Sequence, residues 1–195
     1  EGFPGVNPAE YGLQEVGAKE KGGIVYVMQE GDITKAMLDD KLDYFVPEQA
    51  MFEQGALTDE ANWKLLTETL LEGYHIKSLH KETFYPYGLD NVTLVENFGA
   101  NSRVIFPFRR IEKLRDIAPE ERRIDGLVTS VYLLFPNASV AVLSKHTSLV
   151  ILEPLSPTQS KWVVYRMINQ DSNGNGITLD EAKRDALFVN ESGQD

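Results

Sequence analysis

Residues 62–80 read NWKLLTETLLEGYHIKSLH and contain His75 and His80, two of the three histidines in the chain. Five leucines surround the ionisable residues of this stretch, which indicates a largely buried helix in which unpaired ionisable groups would be costly. Side chains five positions apart on a regular α-helix point roughly 140° away from each other. Both imidazoles therefore reach one metal ion only if the helix ends, bulges or unwinds between them. Gly73 is well placed to permit such a break.

Acidic residues precede the first histidine at helical spacing. Glu68, Glu72 and His75 are four and three residues apart, so they share one face while the helix lasts. A carboxylate there can accept the imidazole N–H that points away from a metal and fix the orientation of the ring. The pattern thus favours a metal site, and the alternative is that both histidines are ordinary polar residues at a helix end.

The rest of the chain predicts an antiparallel sheet. Segments rich in β-branched and aromatic residues recur between turn signals, which favours a meander over alternating βαβ units. The predicted extended segments are Ile24–Met28, Phe45–Phe52, Val92–Asn97, Arg103–Phe108, Leu127–Phe135, Val140–Leu143, Thr147–Leu152 and Trp162–Ile168. Residues 1–22 are rich in Gly and Pro and are expected to form an irregular lead-in.

Helices are predicted in three places. Thr58 is followed by two acids and has the composition of an N-cap, so the long helix is expected to begin there. Asp32 is expected to cap a short helix over Thr34–Asp40, and Asp180–Phe188 has helical composition again. These elements predict one α+β domain over residues 1–195, with a long helix across one curved antiparallel sheet and a second helix at the C-terminus.

Composition narrows the possible functions. A length of 195 residues fits one domain, and a net charge of −11 argues against nucleic acid or an anionic membrane, since both need clustered Lys and Arg. The one basic cluster, from Arg109-Arg110 to Arg122-Arg123, is interleaved with acids and is typical of a solvated helix face. The chain has no cysteine, which excludes a disulfide, a thiolate zinc site and a Cys-ligated iron–sulfur cluster within it.

Residues 62–80 resemble the catalytic-domain signature of the alpha (large) subunit of Rieske-type aromatic-ring-hydroxylating non-haem iron oxygenases. The resemblance rests on Asn-Trp-Lys, a following acid, and Glu-x-Tyr-His with four residues before the second His. Thr69 departs from it, because many members have Asn there. The resemblance implies that His75 and His80 bind iron and that Glu72 bridges to a histidine of the Rieske cluster. It also implies a helix-grip (START/Bet v 1-like) fold, whose curved sheet encloses a deep pocket.

The third iron ligand of the family is an aspartate near the C-terminal helix. Asp195 is the preferred residue here, because residues 191–195 resemble the segment that usually carries this ligand, with Gln194 as a departure. Asp185 is the alternative. Two imidazoles and one carboxylate on one face of Fe(II) leave the opposite positions open for dioxygen and substrate.

The resemblance also implies an apolar, aromatic substrate and electrons from a Rieske two-iron two-sulfur cluster. Because the chain has no cysteine, that cluster is expected in a domain absent from it, just before residues 1–22, with a separate polypeptide as the alternative. NAD(P)H is expected to act indirectly, through a reductase or ferredoxin. The intact enzyme is expected to be a cytoplasmic homotrimer that binds neither nucleic acid nor membrane.

Other interpretations of the same residues stay open. A non-enzymatic helix-grip carrier of a hydrophobic ligand would use the same pocket, with His75 and His80 as incidental polar groups. A zinc hydrolase would use the same ligands, although no hydrolase motif supplies a general base. Residues 171–176 imitate half of a calcium-binding loop, but Ala182 stands where a bidentate Glu is needed, so a polar loop is expected. His146 is expected to be structural rather than part of the pocket.

Overall fold

A computed structural model describes residues 4–5, 7, 10–38, 42–170 and 176–193 of the chain. The chain divides into two compact units, Glu1–Pro47 and Glu48–Asp195. The single catalytic domain over residues 1–195 stays a prediction. Most of the calcium-loop-like segment, residues 171–175, lies outside the described residues.

An antiparallel hairpin is the regular part of the first unit. Strand β1, Gly17–Lys21, pairs along its whole length with strand β2, Ile24–Met28. Gly22 and Gly23 form the turn with φ of 60° and 78°, a region that glycine adopts without strain. The bounds of β2 are as predicted, whereas β1 lies where an irregular lead-in was expected. Its polar sequence carries no strand signal, and the ladder of hydrogen bonds to β2 orders it instead.

Residues 39–40 of the short helix predicted over Thr34–Asp40 lie outside the described residues, and the described part contains a 3-10 turn at Lys35–Met37. Thr34, not Asp32, occupies its N-cap position, and the Thr34 side chain makes no capping hydrogen bond. Without a cap, the free amides at the start of the turn are not satisfied by a side chain, which favours a single turn over a helix.

A seven-stranded antiparallel sheet forms the framework of the second unit. In spatial order its strands are β3 (Met51–Asp59), β9 (Gln159–Ile168), β8 (His146–Ser156), β7 (Ala138–Val142), β6 (Val128–Leu134), β5 (Asn101–Pro107) and β4 (Leu94–Phe98). Strands β4 to β9 are consecutive neighbours, and β3 lies on the far side of β9. The predicted meander is therefore confirmed. The extended stretch near Phe45–Phe52 is wrong in its bounds, because β3 begins only at Met51.

The first helix differs most from its prediction. Thr58 lies in β3 opposite Lys161, so it does not start a helix. Helix α1 spans only Trp63–Thr69 and is capped by Asn62, whose side chain accepts from the Lys64 amide and donates to the carbonyl of Pro157. The predicted helix does not start at Thr58, because pairing with β9 overrides the local helix signal. Helix α1 therefore has only seven residues, and the prediction of a long helix is wrong.

Helix α2, Leu179–Ser192, confirms the helical composition at Asp180–Phe188 and extends to Ser192. It begins with a capping box, in which the Thr178 side chain and the Glu181 carboxylate accept from each other's backbone amides. Its buried face carries the small side chains of Ala182 and Ala186. The α+β, helix-grip class is confirmed. No helix in the described part of the chain is long and apolar enough to cross a membrane.

Candidate active site

A cavity of about 590 Å³ lies in the second unit, between the segment that follows α1, the sheet and helix α2. Its wall is mostly apolar and carries the aromatic rings of Phe84, Tyr87, Phe106, Phe108 and Phe188. Phe188 of α2 makes edge-to-face contacts with Phe84 and Tyr87, at centroid distances of 5.8 and 5.9 Å. Contacts of this kind hold aromatic side chains in defined positions, so this part of the wall has a fixed shape.

The histidines predicted to bind metal lie side by side. His75 is in a 3-10 turn, Tyr74–Lys77, and His80 follows it, so α1 has ended at Thr69 before either histidine. Their rings lie edge to face, with centroids 5.2 Å apart and planes at 75°. Two rings whose nitrogens lie about 2.1 Å from one shared ion have centroids about 5 Å apart, so the centroid distance is compatible with one metal ion between them. The predicted break in the helix is present, and metal binding stays a prediction.

Gly73 precedes this turn in a crowded position. The residue is buried, and a Cβ atom built on it would lie 3.2 Å from the Phe106 ring. Its φ of −114° is open to any residue, so close packing rather than backbone freedom requires the glycine. A larger side chain would displace the Phe106 ring, which is part of the cavity wall.

Glu72 makes the predicted contact with His75. Its carboxylate accepts from the Tyr74 amide at 2.6 Å and the His75 amide at 3.3 Å, and its other oxygen meets Nδ1 of His75. Partial burial raises the pKa of Glu72, but the hydrogen bonds from His75 and Tyr74 lower it by more, so the net pKa is below its ordinary value. The carboxylate thus orients the ring and leaves Nε2 as the nitrogen for a metal. Glu68 is exposed, and it does not share a helix face with Glu72 and His75 because α1 ends at Thr69.

The two histidines differ in their surroundings. His75 lines the cavity, whereas His80 is only 6% exposed and does not belong to the cavity wall. The His80 ring packs edge to face on Phe84 at a centroid distance of 5.2 Å. The His80 carbonyl accepts hydrogen bonds from the amides of Thr83 and Tyr85. These bonds hold the backbone of the segment that carries Phe84 into the aromatic part of the cavity wall, called the aromatic wall below.

The structure describes only one of the two candidates for the third ligand, Asp185. Asp185 lines the cavity, but its Oδ2 accepts from the Lys145 amide at 3.0 Å and is 2.8 Å from Nδ1 of His146. His146 is fully buried and is not part of the cavity wall, in line with a structural histidine. Asp195 lies outside the described residues. Within the ranges that the structure describes, no three His, Cys, Asp or Glu side chains form a metal-binding group, so the third ligand stays a prediction.

Two arginines of the basic cluster predicted on a solvated helix face are exposed as expected and also line the cavity. Arg109 and Arg110 begin a 3-10 turn, Arg109–Leu114, directly after the end of β5 and Phe108. Arg122 and Arg123 are exposed and are not part of the cavity wall. The alternation of charges does not distinguish the two pairs. The sequence feature that could have indicated the position of Arg109 at the cavity is the apolar end of the strand before it. A strand that lines a pocket places the residues that follow it at the edge of the pocket.

A known protein family matches most of the second unit. The family model described as the ring hydroxylating alpha subunit (catalytic domain) matches residues 51–192, a range that includes Glu72, His75 and His80 and ends before Asp195. No curated protein sequence matches the chain at a significant level.

Solved structures share its fold at low sequence identity. A quaternary ammonium Rieske monooxygenase is 11% identical with a TM-score of 0.69, over 96% of this chain and 51% of that one. Naphthalene 1,2-dioxygenase from Rhodococcus sp. is 14% identical with a TM-score of 0.56, over 90% of this chain and 54% of that one. Dicamba monooxygenase is 12% identical with a TM-score of 0.54, over 98% and 59%. The chain thus spans about half the length of these structures.

Proposed function

Because this chain belongs to the family of ring-hydroxylating alpha subunits through their catalytic domain, we propose that it is the oxygenase part of a Rieske-type non-haem iron enzyme. The observation that carries the proposal is the His75–His80 pair, which lies beside an apolar cavity with ring centroids 5.2 Å apart. In this proposal both imidazoles hold Fe(II), and Asp195 supplies the third, anionic ligand. The donor set of two imidazoles and a carboxylate suits this metal and leaves positions free.

The protein residues have separate tasks in this proposal. Bound Fe(II) supplies the activation of dioxygen. Glu72 holds the His75 ring in one orientation through Nδ1 and forms the link toward a Rieske cluster outside this chain. The aromatic wall around Phe188 binds an apolar, aromatic substrate and keeps water from it. The substrate leaves with oxygen inserted as one or more hydroxyl groups.

The other partners follow from the same family membership. Electrons from NAD(P)H reach the Rieske cluster through a reductase or ferredoxin, and the intact enzyme is a cytoplasmic homotrimer in this proposal. Among the structural relatives, one is named for quaternary ammonium compounds, one for naphthalene and one for dicamba. For this chain the aromatic rings of the cavity wall support an aromatic substrate.

Metal analysis of anaerobically prepared protein tests the proposal. The chain supplied with Fe(II) should retain about one iron per chain, since the three ligands hold a single ion. His75→Ala and His80→Ala should each lose most of it, because a metal with one imidazole removed is held less tightly. His146→Asn, at the third histidine of the chain, is the matched control and should retain iron. Far-UV circular dichroism establishes that each variant is folded.

Two outcomes would replace the proposal. Selective retention of zinc, with iron displaced, would indicate the hydrolase. A folded protein that retains no metal but binds a hydrophobic ligand in the cavity would indicate the helix-grip carrier. Iron that remains bound in both His75→Ala and His80→Ala would remove the two histidines from the site.

A further inference from the structure

We propose that Arg109 and Arg110 bind the carboxylate of an anionic substrate, so that the cavity takes an apolar molecule that ends in a carboxylate group. The inference rests on the proposed function only in treating this cavity as the substrate site. Both arginines line the cavity and both are exposed, so they lie where the cavity meets solvent. A carboxylate at this edge keeps part of its hydration while the apolar remainder of the molecule lies against the aromatic wall.

Both guanidinium groups are held in place without a carboxylate partner. Nε and Nη2 of Arg109 donate to the carbonyl of Tyr85 at 3.3 and 3.2 Å, and the group lies 4.9 Å from the centroid of the Tyr85 ring. Nη2 of Arg110 donates to the carbonyl of Gly126 and to Oγ of Ser144, and the group lies 4.9 Å from the Phe108 centroid. These contacts fix the positions of the two cations without neutralising them.

The acids of the cavity wall are engaged elsewhere. Glu72 contacts the ring and backbone amide of His75, and Asp185 accepts from the ring of His146 and from a backbone amide. Across the ranges that the structure describes, neither Arg109 nor Arg110 has an Asp or Glu oxygen within ion-pair distance. In a chain with a net charge of −11, two cations without acidic partners at one edge of a cavity are a local reversal of charge.

The free donors of the pair suit a carboxylate. Each guanidinium keeps Nη1 without an acceptor among the described residues, because Arg109 donates only through Nε and Nη2 and Arg110 only through Nη2. Charge-assisted hydrogen bonds from guanidinium to carboxylate are shorter and stronger than neutral ones. Because contacts with the rings and carbonyls already order the arginine side chains, binding costs little further side-chain entropy. The pair therefore selects an anion over a neutral molecule of the same shape.

The test compares two probes of nearly the same shape, one with a carboxylate and the other with a neutral amide. We would measure binding of 2-naphthoate and of its neutral amide, 2-naphthamide, to the full chain by isothermal titration calorimetry. The chain should bind 2-naphthoate at least about tenfold more tightly, because the anion accepts charge-assisted bonds that the amide does not. Arg109→Gln and Arg110→Gln should each remove most of this preference and leave the affinity for 2-naphthamide nearly unchanged. The preference should also decrease as salt is added.

A matched variant separates this site from a general effect of charge. Arg123→Gln makes the same change at an exposed arginine outside the cavity wall and should keep the full preference for 2-naphthoate. Arg110→Lys keeps the charge but loses the planar fork, so it should recover part of the preference.

The outcomes are independent of oxygenase activity. Equal affinity for the two probes, or an equal loss in Arg109→Gln, Arg110→Gln and Arg123→Gln, overturns the inference even if the protein holds iron. A clear preference for 2-naphthoate that depends on Arg109 and Arg110 supports it even if the protein holds none. In that second case the failure belongs to the proposed iron chemistry and not to the anion site.

Discussion

At the scale of single residues, the Glu72 side chain makes two kinds of contact with the residues that follow it. One carboxylate oxygen accepts the backbone amides of Tyr74 and His75, and the other meets the His75 ring. The same side chain therefore stabilises the 3-10 turn and sets the ring orientation within it. A carboxylate in this role raises the basicity of the imidazole toward a metal.

Replacement of Glu72 by Gln is predicted to lower turnover in the intact enzyme while iron is kept. The amide oxygen of Gln can still accept from Nδ1 of His75, which keeps the ring orientation, but the negative charge is lost and the NH2 group no longer accepts from the amides of Tyr74 and His75. Substitutions of this kind lower activity by about 10–100-fold. Iron content and turnover are measured on the same preparation.

Glu68→Gln is the control for this prediction, because Glu68 is an exposed acid on α1, four residues before Glu72. It should change neither iron content nor turnover. Loss of iron together with activity in Glu72→Gln would show that Glu72 binds the metal or is needed for folding.

Removal of Asp195 is predicted to lower the iron content, whereas removal of Asp185 is predicted to lower the free energy of unfolding. Asp195→Ala should give an iron-poor protein with an intact Rieske cluster in the full enzyme, because the anionic ligand is lost. Asp185→Ala should retain iron but lower the free energy of unfolding by about 1–3 kcal/mol, since buried His146 and the Lys145 amide lose their acceptor. Iron analysis and urea unfolding of both variants measure the two effects. The reverse pattern would transfer the ligand role to Asp185.

Sequence distance explains which parts of the site could be predicted. Glu72, His75 and His80 lie within nine residues of one another, so one break in the helix is enough to bring the two rings together, and Gly73 and the family signature indicated that break. Asp185 and His146 are 39 residues apart and meet only because α2 packs near the start of β8. Arg109 and Arg110 reach the cavity through the position of the β5 end, which no local pattern of charges encodes.

At the scale of secondary structure, strands were easier to predict than helix starts. Each strand from β4 to β9 overlaps a predicted segment. The β-branched and aromatic residues used for the prediction are the ones that pack well on the surface of a sheet. A hydroxyl followed by acids, as at Thr58, suits an N-cap as well as the end of a strand, so the local sequence does not distinguish the two. Asn62, whose side chain caps α1, also holds the carbonyl of Pro157, a contact invisible in sequence.

The start of α2 gives a prediction for stability. Thr178→Ala removes a side-chain oxygen that accepts from the Glu181 amide, and should lower the free energy of unfolding by about 1 kcal/mol. Thr158→Ala is the control, because it makes the same change at an exposed turn between β8 and β9. Urea unfolding of both variants at neutral pH measures the difference, and equal effects would contradict a capping role.

The capping box also predicts a dependence on pH. Hydrogen bonds from the Thr178 amide and hydroxyl hold the pKa of Glu181 below its ordinary value of 4.5. A carboxylate with a lowered pKa stabilises the fold above the pKa of the unfolded chain, and this contribution disappears as pH falls through its folded pKa. The difference in stability between the wild-type chain and Thr178→Ala should therefore decrease in acid. A difference that grows as pH falls below 4.5 would contradict the charged cap.

At the scale of the whole molecule, the site and the electron supply belong to different parts of the proposed enzyme. The cavity and the histidine pair all lie within Glu48–Asp195, and the family match covers residues 51–192. The structural relatives extend to about twice the length of this chain. The chain therefore contains the proposed place of oxygen chemistry, whereas a Rieske cluster requires cysteine ligands that none of the 195 residues provides.

This separation predicts the behaviour of the isolated chain. Loaded with Fe(II), it should contain iron but no acid-labile sulfide, because a Rieske cluster needs two cysteine ligands and the chain has none. NAD(P)H with a reductase should give no turnover, since the reductase delivers electrons to the cluster. Turnover should appear when a protein with an intact Rieske domain is added, and Glu72→Gln should weaken this rescue if Glu72 lies on the electron path. Sulfide and iron assays together with product analysis measure each step. Turnover with the reductase alone would show that electrons enter this chain by another route.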